Sequence, residues 1–402
     1  MHTRTGAVTL LCAVAVLSAC TDRHPASTGP GISAARSGVP FASGLASPVW
    51  QTTAATRVVQ AGFAPFAQGR ALSLLGVAQY LAVQQAEGAH GSNGRNQLEL
   101  DRGAVAGASA VVLTYLFPSQ AQAFEDLVAT QATAGPGGQA PHPAFTHGES
   151  IGRAVGADIV TRAQGDGFNT PFAGTIPTGA GLWISNTTPA TIAGGQLPTS
   201  LPWFLTSAGQ FRPAPPPAFG SAAFTAGLTE IRQISDNRTA DQIRIAAFWA
   251  PVGPGFWLQV ATDGINEHGL SEREATHVYG LLSATIFDAF IGCWDAKETY
   301  WYIRPWQADP LITTTAAVGR PNHPSYPSGH SCVSSSSAAV LSEFFPEQRT
   351  QLDAMVTEAG LSRMYGGIHY RFDIEAGQAL GRNVARFAIA ADASGNSVLT
   401  AH

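Results

Sequence analysis

The chain has 402 residues, 45% of them hydrophobic and 12% charged, with a net charge of −5. That length supports one large or two medium domains with a sizeable core. Mild acidity argues against a nucleic-acid partner, because no lysine/arginine run or basic stripe appears to neutralise phosphates.

The first element is not part of the fold. In "MHTRTGAVTLLCAVAVLSAC" a basic Arg4 precedes an apolar run from Ala7 to Leu17, and small residues lead to Cys20. The run is too short to span a bilayer and reads as an export signal over residues 1–19. "LSAC" resembles the bacterial lipobox, which makes Cys20 a lipidated N-terminus holding the protein to the outer face of the cell membrane. The plainer alternative is an ordinary signal with an incidental cysteine. Residues 20–50 are polar and rich in Pro, Gly and Ser, as a flexible tether is, so the folded domain is expected over 51–402. Only Cys293 and Cys332 then belong to the fold. In an exported protein they could pair, and they equally suit two small buried thiols.

Helical periodicity runs through 66–88, 102–116, 119–133, 148–164, 223–249, 271–302, 331–345, 347–359 and 372–391, and no segment alternates as strands do. The expected fold is all-α. Between 173 and 220 the pattern breaks into a Pro/Gly-rich irregular excursion whose tryptophans and Phe204 point to a segment packed on the helices. An internal repeat is visible. "SAVVLTYLFPSQAQAFEDLV" (109–128) aligns without gaps on "SAAVLSEFFPEQRTQLDAMV" (337–356), and after one residue of slippage "GESIGRAV" (148–155) matches "GQALGRNV" (377–384). Two degenerate helical bundles follow, at about 60–170 and 223–395. Where the second has Pro327 to His330, the first has "ELDR" (99–102), so the first is a scaffold and the second carries the chemistry.

Three clusters lie in the second bundle. In "DAKETYWYIRPW" Lys297 and Arg304 are two helical turns apart, so both cations project from one face, and Pro305 ends the helix just beyond. Alone, such a pair is usually a solvated face. In Pro327-Ser328-Gly329-His330, Ser328 is a natural N-cap for a helix beginning near Ser331, and Gly329 leaves its N–H open to an anion at the helix start. Alone, this is a capped helix with one histidine. In "SRMYGGIHYRFD", Arg363 precedes His369 and Asp373, which lie four apart and, if helical, are neighbours on one face. A carboxylate bonded to one imidazole nitrogen fixes the tautomer and sharpens the other nitrogen as nucleophile or ligand. Together the clusters form a receptor for a tetrahedral oxyanion. Lys297, Arg304 and Arg363 neutralise its oxygens, Ser328 and Gly329 donate to it, His369 reaches the central atom, and His330 stands opposite as acid or base.

The order Lys-x6-Arg-Pro, Pro-Ser-Gly-His, Ser-Arg-x5-His-x3-Asp resembles the superfamily shared by vanadium-dependent haloperoxidases and type 2 phosphatidic acid phosphatases, with every position filled from Lys297 to Asp373. Flanks such as "NRTADQIRIAAFWA" look like the exported bacterial haloperoxidase branch, and the resemblance covers most of 60–390. It implies vanadate as cofactor with His369 as its ligand, His330 activating peroxide, Asp373 orienting His369, and halide and peroxide as substrates. The alternative it implies is a metal-free phosphatase that forms a phosphohistidine at His369 from a phosphate ester. A third reading, a non-catalytic oxyanion-binding lipoprotein, needs the cations but not the full His330, His369, Asp373 set. Trp301 and Trp306 could line a halide or organic-substrate pocket or serve as core.

Overall fold

The chain winds into α1 (Ser47–Gln60), α2 (Pro65–His90), α3 (Gln97–Leu116), α4 (Ala121–Thr133), α5 (Pro143–Gln164), α6 (Ala222–Asp236), α7 (Ala240–Trp249), α8 (Pro254–His268), α9 (Glu272–Tyr300), the single turn α10 (Pro305–Ala308), α11 (Gly329–Phe344), α12 (Arg349–Tyr365) and α13 (Arg371–Ala393). This computed structural model describes residues 44–90, 96–134 and 140–400, and among them β structure is limited to one isolated bridge, Leu182 with Tyr302. The all-α expectation holds. The expected signal segment, Cys20 and residues 20–43 of the tether lie outside the described residues.

Three helices were missed by periodicity, α1, α8 and the single turn α10, and one expected helix is two. Residues 44–50 are not tether. Trp50 is fully buried and donates from Nε1 to Gln131 Oε1 at 2.8 Å, while Glu272 accepts from the Ala46 and Ser47 amides at the start of α1. The folded region therefore begins before residue 51. Helix α8 starts on Pro254 and stops at Gly269, whose φ of 60° is the left-handed ending that glycine adopts without cost. The expected helix 223–249 breaks at Asn237-Arg238, and Thr239 restarts it through a capping box with Gln242.

The internal repeat is physical. Phe117 and Phe345 end α3 and α11 with almost the same dihedrals, φ −137° and ψ 67° against φ −130° and ψ 68°. Each is followed by a 3₁₀ turn, Pro118–Gln120 or Pro346–Gln348, and then by α4 or α12. The glycines match as well. A Cβ on Gly148 or Gly152 would lie 1.9 or 2.0 Å from Leu100 O or Ala104 O, and one on Gly377 or Gly381 would lie 2.6 or 2.1 Å from Ser328 O or Cys332 O. The repeat aligns Leu100 with Ser328 and Ala104 with Cys332, so α3–α5 and α11–α13 are the same backbone-to-backbone packing made twice. The bundles meet along α2 and α9, where a Cβ on Gly76 would sit 2.8 Å from Tyr279 O.

The excursion from 173 to 220 is pinned to the second bundle. Buried Asp288 accepts from the amides of Trp203, Phe204 and Leu205 at 2.8, 2.7 and 3.0 Å. Burial pushes its carboxyl up to about 6 against those bonds. Nearer the end of α9, Trp183 N donates to Trp301 O at 2.6 Å, Trp294 Nε1 to Ala193 O at 2.7 Å, and Tyr326 OH to Ala214 O at 2.7 Å. The segment thus braces the loop that leads into α11.

Candidate oxyanion site

Lys297 lies in the last turn of α9, but Arg304 does not share its helix. The helix ends at Tyr300, and Trp301 takes a left-handed conformation at φ 45°, unusual for a bulky residue. Its amide still reaches Lys297 O at 2.8 Å, and its own carbonyl takes the Trp183 amide. The chain then turns, so Arg304 arrives as the N-cap of α10 rather than from the face shared with Lys297. Both side chains are fully buried.

Lys297 does something the sequence did not suggest. Its ammonium donates to Pro324 O, Ser325 O and Pro327 O at 2.7, 3.0 and 2.6 Å, which uses all its hydrogens on the loop before α11. It holds that loop, and its charge reaches the pocket through space rather than by a direct bond. The loop delivers Ser328, whose Oγ caps α11 by accepting from Ser331 N at 3.4 Å and whose own amide donates to Asp373 O at 2.9 Å. Helix α11 begins at Gly329, two residues before the expected start, and His330 stands in its first turn, half-buried. A Cβ at Gly329 would meet only the Trp294 ring at 3.5 Å, so the amide at this helix start stays uncovered on the glycine side.

His369 lies just ahead of α13, and Asp373 is in that helix's first turn. Asp373 Oδ2 accepts from His369 Nδ1 at 2.9 Å, Ser325 Oγ at 2.6 Å and Tyr370 N at 3.1 Å. A carboxylate only accepts, so Nδ1 carries the imidazole proton and Nε2 keeps its lone pair. That lone pair faces Arg304 Nη1 at 3.0 Å, which also donates to Ile368 O at 2.7 Å. Arg304 completes its fork on His323, with Nε to the carbonyl at 3.0 Å and Nη2 to Nδ1 at 3.1 Å. Arg363, buried in α12, donates from Nε to Ser362 Oγ at 3.0 Å and from Nη2 to Ala246 O at 3.3 Å.

Three buried cations thus surround one imidazole, and Asp373 is the carboxylate bonded to that group. The charges strain against burial. Desolvation pushes Lys297 down to about 8, Arg304 to about 10 and Arg363 to about 9. His369 falls well below the ordinary imidazole value, through burial first and then through Arg304, Lys297, His323 and Arg363. Burial and Arg363 bring His330 down to about 3, against the Trp249 carbonyl that it bonds. Uncompensated buried cations are costly, so the donor set suits a bound anion. Among the described residues no cluster of three or more His, Cys, Asp or Glu could hold a bare metal cation. A neutral imidazole lone pair facing guanidinium donors does fit vanadate, an oxyanion that needs one nitrogen ligand and several donors to its oxygens.

Residues 275–393 match the profile of the PAP2 superfamily. The matched stretch is similar to that superfamily. It contains every residue of the three clusters. A non-specific acid phosphatase of Providencia stuartii is 30% identical over 165 residues, covering 40% of this chain and 66% of that protein. The described fold is similar to the crystal structure of a bacterial vanadium-dependent iodoperoxidase, with a TM-score of 0.71 at 23% identity, over 85% of this chain and 96% of that one. A holo-type bacterial vanadium-dependent chloroperoxidase superposes with a TM-score of 0.64 at 15% identity, over 81% of this chain and 92% of that one.

Several residues of the site lay outside the sequence reading. His323, Ser325 and Trp294 all touch it: Trp294 packs tilted against His323 with centroids 5.0 Å apart, and Ser325 is the hydroxyl on Asp373. The signal for Ser325 and His323 was their place in the rigid loop "HPSYPSGH". No periodicity marks Trp294, three residues before Lys297 on α9. Trp301 and Trp306 are buried, Trp301 against Trp183 and Trp306 beneath the Arg304 guanidinium at 5.4 Å. Cys293 and Cys332 are both buried and both free thiols.

Proposed function

We propose that this protein is a vanadate-dependent peroxidase of haloperoxidase type, oxidising halide with hydrogen peroxide at the His369 pocket. The observation that carries the reading is His369 itself: a buried, neutral imidazole with Nδ1–H fixed on Asp373 and the Nε2 lone pair turned to the Arg304 guanidinium, with the charges of Lys297 and Arg363 acting on it through space. In this reading His369 Nε2 would hold vanadate, Ser328 Oγ and the Gly329 amide would donate to its oxygens, and Arg304 and Arg363 would neutralise them. Vanadate, when bound there, would supply the Lewis acidity for peroxide chemistry. His330, kept neutral by burial and Arg363, is suited to accept a proton from incoming peroxide.

A phosphatase using the same residues is the second reading, favoured by the 30% identity to the acid phosphatase. There His369 Nε2 attacks phosphorus, the P–O bond to the alcohol breaks, and His330 must give the leaving oxygen a proton. A binder without turnover would retain its oxyanion affinity in His330→Ala, whereas either enzyme would lose its rate.

The experiment uses full-length protein with and without orthovanadate, assayed for bromination of a phenolic dye by peroxide and bromide and for hydrolysis of an aryl phosphate. Bromination confined to the loaded sample supports the peroxidase. Hydrolysis in the bare sample, abolished by vanadate, overturns it in favour of the phosphatase. The N-terminal pattern supports export with a lipid on Cys20. Palmitate labelling that survives in Cys20→Ala would refute that anchor.

A further inference from the structure

The C-terminal turn of α7 carries two contacts to the site that no motif predicts. Its last carbonyl, Trp249 O, faces His330 Nε2 at 3.0 Å and also accepts from Val252 N at 3.2 Å. One turn earlier Ala246 O takes Arg363 Nη2 at 3.3 Å. A carbonyl only accepts, so the His330 nitrogen that faces it carries the proton, and Nδ1 is left with the lone pair. The position of this helix end therefore decides which nitrogen of His330 can exchange a proton with a bound group, and where that nitrogen points.

The helix end needs a hold of its own. It is followed by the Ala250-Pro251-Val252-Gly253 connection, and C-terminal helical turns fray where little anchors them. The hold comes from Trp249. Its indole is fully buried, meets Phe248 and Phe256 edge-on at 5.4 and 5.6 Å, and donates from Nε1 to Glu358 Oε1 at 2.9 Å. Glu358 lies on α12, the helix that also presents Arg363. One carboxylate thus joins the helix bearing Arg363 to the helix end that orients His330.

We propose that Glu358 is a positioning residue for His330, acting through the Trp249 indole so that the Trp249 carbonyl holds the imidazole as the Nε2–H tautomer. This rests on His330 being the acid/base group, and the tests let the two ideas fail separately. In the vanadate-loaded full chain, Glu358→Ala and Trp249→Phe (which keeps the carbonyl and most of the ring) should lower kcat about tenfold, a fraction of what general acid–base catalysis contributes. KM for bromide should stay unchanged, and Glu358→Gln, which retains an acceptor, should recover most of the loss. Long-range ¹⁵N–¹H NMR on the vanadate-free protein, with His330 assigned through His330→Ala, should show one Nε2–H tautomer in the parent and a mixture in Glu358→Ala. A Glu358→Ala protein with parental kcat and an unchanged tautomer overturns the proposal, as does a Glu358→Gln protein as impaired as Glu358→Ala. If Trp249→Phe fails to fold, the two Glu358 variants decide alone. If the tautomer shifts as expected while His330→Ala keeps full activity, positioning stands and the acid/base role of His330 falls.

Discussion

Replacing Lys297 with methionine tests whether this lysine is a strut as well as a charge. The ammonium is fully buried and makes three bonds of 2.7, 3.0 and 2.6 Å to carbonyls of the loop that starts α11. Methionine fills a similar volume and leaves those carbonyls without their donor. Each buried acceptor left unsatisfied costs about 1–3 kcal/mol, and losing the desolvation penalty of a buried ammonium returns several kcal/mol of that total. The net expectation is a destabilisation of about 3 kcal/mol, within the range for breaking one side of a buried polar pairing. Urea unfolding followed by circular dichroism, without any oxyanion present, should show a lower midpoint at unchanged slope. Excess orthovanadate should stabilise the parent and do so much less in the variant, because ligand stabilisation follows affinity for the folded state. A Lys297→Met protein with a parental midpoint and only its activity lost would refute the strut and make Lys297 a direct anion ligand.

Lys297 also sets a pH window. Its folded-state pKa of about 8 lies below the ordinary 10.5, so between these values the unfolded chain keeps a proton that the folded, anion-free chain has released. Stability from this group therefore rises with pH across that window, while affinity for phosphate falls as the pH climbs through about 8; isothermal titration from pH 7 to 10 checks the latter. Asp373→Asn should lower turnover about 10–100-fold by releasing the His369 tautomer, as loss of a carboxylate behind a metal-binding histidine does; steady-state rates with vanadate saturating would measure it. Gly381→Ala puts a Cβ 2.1 Å from Cys332 O and Gly152→Ala one 2.0 Å from Ala104 O. Both should cost about 3 kcal/mol as overpacked helix contacts, but at temperatures where both remain folded only Gly381→Ala should impair activity, because it displaces the helix that presents Ser328 and His330. Cys293 and Cys332 should ignore a thiol reagent in the native protein and react in guanidinium without prior reduction; a need for reductant would mean a disulfide.

Much of this was legible in the sequence. The three clusters carried their order, and the repeat carried the two bundles, because helix caps, close-packed glycines and the Phe-Pro-x-Gln corner each leave a fixed local pattern. Ser328 as the cap of α11 and the His369–Asp373 pair are of this local kind. The errors arose where distant contacts override spacing. Seven residues from Lys297 to Arg304 look like two helical turns, yet the left-handed Trp301, tied to Trp183 in the excursion, ends the helix first and brings Arg304 in from another direction. The loop-holding role of Lys297 depends on backbone carbonyls, which no side-chain pattern advertises. Helix α1 was hidden by its polar, small-residue start and owes its place to Glu272, far along the chain. The Trp249–Glu358 contact is likewise visible only once α7 and α12 lie side by side.

The most direct test of the oxyanion pocket is calorimetric titration of orthovanadate into the parent protein, His369→Ala and His330→Ala. The account requires tight one-to-one binding in the parent, a loss of affinity of at least about 100-fold without the His369 nitrogen, and a much smaller loss without His330. Equal affinity in the parent and His369→Ala would contradict it, since vanadium would then not be held by His369.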